Sequence, residues 1–473
     1  MFLFVAFMTF WSLAVSHTIP SFAHPFRLDP RQAPNLKSGG WLMTYTPTGS
    51  STVYKGPLRV TSNSSSLYIS GDWYNGTVQP NPADGVPILP RANYFAFTRA
   101  TKLTAGANGG FDLALEAFRF RGIRKIGQNY TDWDDNETPL DGGYTISLSP
   151  ASSPSGYPDS KQYFKGDLKF TSSGKVAGQF TIGWVSQYIR KITLEIGTVS
   201  GLEIPQKDSS GKRTWKSILA EVGWDIQVIV GKTAIPEPTN TDLPAGMWTV
   251  QQQHDAMLKY RGATDFDKEW KYYLLVVRRM QGVERGAMMD TGYEFNGIPR
   301  EGTTVSTDWV FGTLWDGSLD TKYDWGSATG KKFVDVHDAW FRTAVHEVGH
   351  FFNLQHPYEF AGGIMDDSQS YVDAGRNGVT KEKFPENIGA EAFRFSNNDR
   401  FLMQHRPDLY SRPGFVRFGG AIRPNSASRG SLIRGCEGRH LAACGYALCS
   451  ACLISLIFLE VLTHMASGCQ RSR

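Results

Sequence analysis

The sequence predicts a multidomain fold: an N-terminal all-β domain, sandwich- or barrel-like, then an α/β (α+β) domain built on a mixed sheet. Three observations predict it. At 473 residues the chain is too long for one ordinary domain. From about residue 40 to 205, short β-rich runs are separated by clusters of Gly, Ser, Asn and Pro. From about residue 215, strand-like and helix-like segments mix. Hydrophobic residues make up 41% and aromatics 13%, enough for real cores. The net charge of +4 is small, and without a concentrated basic stripe no nucleic-acid partner is expected.

Residues 1–23 read as a signal peptide. An uncharged apolar run, FLFVAFMTFWSLAV, is followed by small residues that offer cleavage after residue 16 or 23. Four glycosylation sequons follow, at Asn63, Asn75, Asn129 and Asn136, which suits a secreted chain. The β-rich domain is expected over 24–210, as a retained module or a propeptide. Within it, Tyr54–Ser62 (YKGPLRVTS) is echoed by Phe164–Ser172 (FKGDLKFTS), read as a recurring hairpin rather than a duplication.

The second domain is expected over 211–415. Trp224–Val230 and Tyr272–Val277 read as strands, the latter so continuously apolar that both faces should be covered. Met247–Tyr260 reads as a helix, and 303–312 and 332–336 as short strands. Residues 416–473 form a linker and an apolar tail holding all five cysteines, so the body folds without disulfides. Leu441–Leu459 lacks charge and is long enough to span a bilayer, unless this tail is a gene-prediction artefact; only such an anchor would bring a membrane contact.

The chemistry lies in Thr343–Asp367, TAVHEVGHFFNLQHPYEFAGGIMDD. A helix capped by Asp338 would gather Phe341, Ala344, Val345, Val348 and Phe352 on one side at about 100° per residue. His346 and His350 then share the opposite side, one turn apart, where two imidazoles can reach one zinc ion. A continuing helix would carry His356 about 9 Å further along the axis. Metal bonds of about 2.0–2.1 Å do not tolerate that, so the chain must turn back. Asn353 is the natural place, since Asn accepts the left-handed conformation.

His346-Glu347-x-x-His350-x-x-Asn353-x-x-His356 resembles the extended zinc motif of the metzincin metallopeptidases. Met365, nine residues after His356, looks like their Met-turn. The resemblance implies that His346, His350 and His356 bind one catalytic Zn2+, that Glu347 is the general base, and that Met365 floors the site. It is close over about 25 residues and coarse over about 215–410. Two departures stand out: Asn353 replaces the usual Gly, and Asp367 stands where some branches carry a Tyr, for which Tyr371 is a distant substitute. The short spacing from His356 to Met365 is closer to the matrixin-like branches, and Pro357 is reminiscent of serralysins, so no subfamily is assigned.

The expected function is therefore that of a secreted zinc metalloendopeptidase acting on protein or peptide substrates, membrane-anchored if the 441–459 segment is a real span. The alternative is a secreted or surface binding protein with a catalytically idle zinc domain. Other candidates carry less. Glu386 or Glu391 could replace His356 as third ligand, as a glutamate does in other H-E-x-x-H peptidases. His337 suits capping or packing. Asp132, Asp134, Asp135 and Asp141 lack calcium-loop spacing, and Ile69-Ser70-Gly71-Asp72 faintly resembles the aspartate switch of astacin propeptides.

Overall fold

The structure is a computed structural model. It describes residues 26–419 except 34–35, 121, 124–131, 134–137, 141, 293–294, 382–383 and 386–387. The leader, Asn129, Asn136, Asp134, Asp135, Asp141, the side chain of Asp132, Glu386, the cysteines and the 441–459 segment lie outside the described residues. Among those described, no helix is long and apolar enough to cross a membrane.

The N-terminal domain is a closed barrel of eight antiparallel strands. These are β1 (Gly39–Pro47), β2 (Tyr54–Ser62), β3 (Leu67–Asn75), β4 (Tyr94–Ala105), β5 (Phe111–Arg119), β6 (Tyr144–Pro150), β7 (Tyr163–Phe170) and β8 (Val176–Ser186). Each pairs with the next in sequence, and β8 closes on β1. Closure removes the sheet edges that an open sandwich would expose. Alternation fills the interior: in β6, Tyr144, Ile146 and Leu148 point in while Thr145, Ser147 and Ser149 point out. Trp41, Met43, Trp73, Phe164 and Phe180 complete that core, and the Trp73 indole N–H donates to Met43 Sδ at 3.1 Å. The YKG/FKG echo falls on β2 and β7. Its glycine has a packing reason in each copy: a Cβ would overlap the Asp72 carbonyl at Gly56 and the Ser147 carbonyl at Gly166. Asn63 and Asn75 are both exposed.

The second domain is built on a five-stranded sheet of β9 (Arg190–Thr198), β10 (Trp224–Val230), β11 (Lys271–Val277), β12 (Gly286–Met288) and β13 (Gly302–Ser306). The order is β10-β9-β11-β13-β12, with only the edge strand β12 antiparallel. Helices α1 (Trp215–Glu221) and α3 (His337–Phe351) cover one face and α2 (Val250–Tyr260) the other. Strand β11 is accordingly buried throughout, Tyr272, Leu274 and Val276 on the α3 side and Tyr273, Leu275 and Val277 on the α2 side. Helices α4 (Ser368–Arg376), α5 (Asn397–His405) and α6 (Asp408–Ser411) follow.

Four expectations are corrected. The boundary falls before Arg190, not at 210, because β9 pairs in parallel with β10 and β11. Its alternating pattern looks like a barrel strand; Glu195 breaks the apolar run but is buried against Lys271 at 2.8 Å. The folded chain also runs past 415, since Phe418 packs on His350. Helix α3 starts at His337 with Val336 as cap. Asp338 lies in its first turn, where its carboxylate favours the helix N-terminus and accepts from the Ser209 N–H at 2.6 Å. Residues 332–336 form no strand, although Phe333 N–H still bonds the Trp309 carbonyl at 2.7 Å.

Barrel and second domain share a core of Tyr74, Leu89, Tyr94, Phe97, Phe118, Phe120, Leu409, Tyr410, Phe415 and Val416. Beside it, fully buried Arg59 of the barrel pairs with Asp72 at 2.5 Å and with Asp408 at 3.1 Å. The other Asp72 oxygen accepts from the Tyr94 hydroxyl and the Asp408 N–H. Asp72 is thus consumed at the domain interface, which removes the aspartate-switch reading. His405 of α5 bonds Thr61 Oγ1 at 2.7 Å and Ser70 Oγ at 3.0 Å, both on the barrel.

Candidate metal centre

Helix α3 is buried almost all round because it lies between the sheet and the chain that returns over it. Phe341, Ala344, Val345, Val348 and Phe352 pack into the core at no more than 1% exposure. His346 and His350 leave the same helix toward a different set of neighbours. After Phe352 the chain turns at Asn353, whose φ of 61° is the left-handed conformation. The Asn353 side chain accepts from the Gly419 N–H at 2.8 Å, which fixes the turn from outside. His356, exposed, is thereby brought back to the helix.

The three imidazoles converge, with one ligand nitrogen from each within 4.8 Å of the others. The Nε2 atoms of His346 and His356 are 2.9 Å apart. Tetrahedral ligation at about 2.0–2.1 Å separates two ligand nitrogens by roughly 3.3 Å, so the triad fits a zinc ion after small adjustment. Backbone carbonyls set the tautomers. His346 Nδ1 meets the Ile364 carbonyl at 2.7 Å and His350 Nδ1 the Leu354 carbonyl at 2.8 Å. With those nitrogens donating, each Nε2 presents its lone pair to the centre. Burial, then the neighbouring imidazoles, pushes His346 well below its usual pKa and His350 down to about 3, keeping both in the neutral, ligating form.

Met365 is fully buried beneath α3, and a Cβ at Gly349 would overlap its sulfur. Arg342, one turn before His346, holds this segment. Its guanidinium donates to the carbonyls of Gly363 (2.9 Å), Ile364 (3.0 Å), Asp366 (2.6 Å) and Ala392 (3.2 Å). Arg342 therefore fixes Ile364, whose carbonyl orients His346. Asp367 caps α4 by accepting from Ser370 N–H at 2.6 Å. Tyr371 is buried beneath Arg342, its hydroxyl donating to the Gly363 carbonyl at 3.3 Å.

Glu347 is 5% exposed, and burial pushes its carboxyl up to about 8, with Arg285 pulling the other way. The guanidinium of Arg285 is held over the rings of Trp309 and Trp325 at 5.2 and 5.5 Å. Glu391 is exposed and pairs with Arg394 at 2.8 Å, and His337 lies 3.7 Å from Glu203 and packs on Trp340; neither belongs to the triad. The sequence reading missed Arg285, Gly286, Arg342 and Phe418. Only Arg342, four residues before His346 on one helical side, had a legible signal.

Among known protein families, curated proteins and solved structures, none matches this chain.

Proposed function

We propose that the chain is a secreted zinc-dependent metalloendopeptidase of metzincin type. The observation that carries this reading is the convergence of His346, His350 and His356 beside the buried carboxylate of Glu347. When bound, zinc supplies a Lewis acid and a water of lowered pKa. Glu347, buried beside the triad with Arg285 favouring its ionised form, would take a proton from that water and pass it to the departing amine nitrogen. His346 and His350 hold their tautomers through the Ile364 and Leu354 carbonyls.

The sheet supports an extended peptide as substrate. Strand β12 is the antiparallel edge, partly exposed, and its Gly286 lies against Glu347. An extended peptide adding to such an edge would pass beside the proton shuttle. The exposed sequons at Asn63 and Asn75 and the apolar leader favour secretion.

The test compares zinc-loaded wild type with Glu347→Ala on an unfolded protein substrate. Wild type should cleave, and the variant should retain zinc while cleaving about a hundredfold or more slowly. Equal cleavage by both, or none by zinc-loaded wild type, rejects the reading. A hydroxamate active-site probe separates a highly selective protease from an idle domain.

A further inference from the structure

A second group of metal-ligating side chains lies on the other face of the sheet. His254 of α2, Asp290 just after β12 and Glu301 just before β13 offer one ligand atom each, all within 4.8 Å of one another. They are 1%, 0% and 0% exposed. Sequence separation is large, so the fold has brought them together. We propose that His254, Asp290 and Glu301 form a second, structural centre for a divalent transition-metal ion, separate from the His346 triad.

Four features carry the assignment. First, the donor set is chemically specific: one imidazole and two carboxylates suit zinc or manganese, whereas calcium takes six to eight oxygen ligands. Second, the group is deeply buried, where carboxylates are held by cations or strong hydrogen bonds: Arg261 pairs with Glu301 at 2.6 Å, and a divalent ion would bridge the Glu301 and Asp290 carboxylates to the His254 ring.

Third, the ligands are oriented from behind, as ligating groups commonly are. Phe295 stacks on the His254 ring at 4.3 Å. Asn296 donates to Glu301 Oε1, and Asp290 Oδ2 accepts the Glu301 backbone N–H at 3.1 Å. Fourth, the backbone entering Glu301 is strained. Arg300 has a φ of 61° while wholly buried, a conformation that costs a non-glycine residue free energy. Its guanidinium donates to the carbonyls of Phe351, Arg412 and Val416. Arg300 therefore connects this cluster to the C-terminal end of α3. An ion here would clamp α2 to the β12–β13 connection and brace the helix that carries His346 and His350.

Metal counting on the full-length protein tests this independently of peptidase activity. Wild type grown with zinc or manganese should carry two equivalents per chain. His346→Ala/His350→Ala should keep one, and adding Asp290→Asn or His254→Gln should remove it, with folding checked by circular dichroism. Cobalt substitution of the double variant should give the weak visible bands of an oxygen-rich site. A double variant that takes up no zinc, manganese or cobalt overturns the proposal and leaves a buried ion pair of protonated His254 with the carboxylates.

Discussion

Gly286 lies directly against Glu347: a Cβ at position 286 would overlap the Cγ and Oε1 of the glutamate. The absence of a side chain on the edge strand is therefore what leaves the carboxylate its place. On the proposed peptidase reading, Gly286→Ala should move Glu347 without touching His346, His350 or His356. We expect a loss of at least about tenfold in kcat/KM, the order of effect of misplacing a proton-transfer group. Zinc content should be unchanged. Steady-state kinetics beside metal analysis checks both, and loss of zinc would contradict this placement.

Asn353 makes the turn that returns His356, at a φ of 61°. Asn353→Gly should keep zinc, since glycine adopts that conformation freely. Asn353→Ala should cost about 1–2 kcal/mol and weaken zinc binding, because a Cβ without a compensating side-chain bond disfavours the left-handed region. Denaturant melts and competitive zinc titration separate the variants.

Arg342 satisfies four carbonyls with one buried guanidinium. Lysine cannot reproduce that planar fork. Arg342→Lys should lower stability by about 2–4 kcal/mol, as expected when buried acceptors lose charged partners. It should also weaken zinc binding, since the Ile364 carbonyl no longer holds His346. Chemical unfolding with and without added zinc reads the two effects.

His405 supplies a pH dependence at the domain interface. Burial, then Arg59 and Arg190, pushes its pKa well below the usual 6.5. A depressed folded pKa means that the unfolded chain binds the extra proton first. The stability contributed by neutral His405 is present above about pH 6.5 and is lost as pH falls toward the folded value. Asp72 and Asp408 face the same pocket, with burial raising Asp72 and Arg190 and Arg59 holding Asp408 down, so the readout is a difference. Between pH 6.5 and 5, Tm should fall less steeply for His405→Gln than for wild type. Parallel slopes would remove His405 from the account.

The Arg59–Asp72–Asp408 cluster predicts that barrel and second domain stay together. Removing one member of a buried charge network costs about 3–5 kcal/mol. Asp408→Ala should lose that much in a cooperative melt, and N-terminal sequencing of the natural protein should find the barrel retained. A protein that begins near residue 190 and is fully stable would show the barrel to be a removable segment.

Local periodicity determined a good deal by itself. The alternation in β6, the continuous apolar run of β11 and the spacing of His346, His350 and His356 are consequences of strand and helix geometry. So is the need for a turn near Asn353. These relations act over a few residues, where backbone geometry alone decides which side chains share a face. Only the tertiary structure decided the rest. It moved Arg190–Thr198 into the second sheet, closed the barrel, and set Asp72 against Asp408 rather than near the triad. It put Gly286 on Glu347, Phe418 on His350, and His254, Asp290 and Glu301 in one pocket. Each of those contacts joins residues far apart in the chain, so no spacing records it. What fixes them is the packing of whole sheet faces and the requirement that every buried charge find a partner.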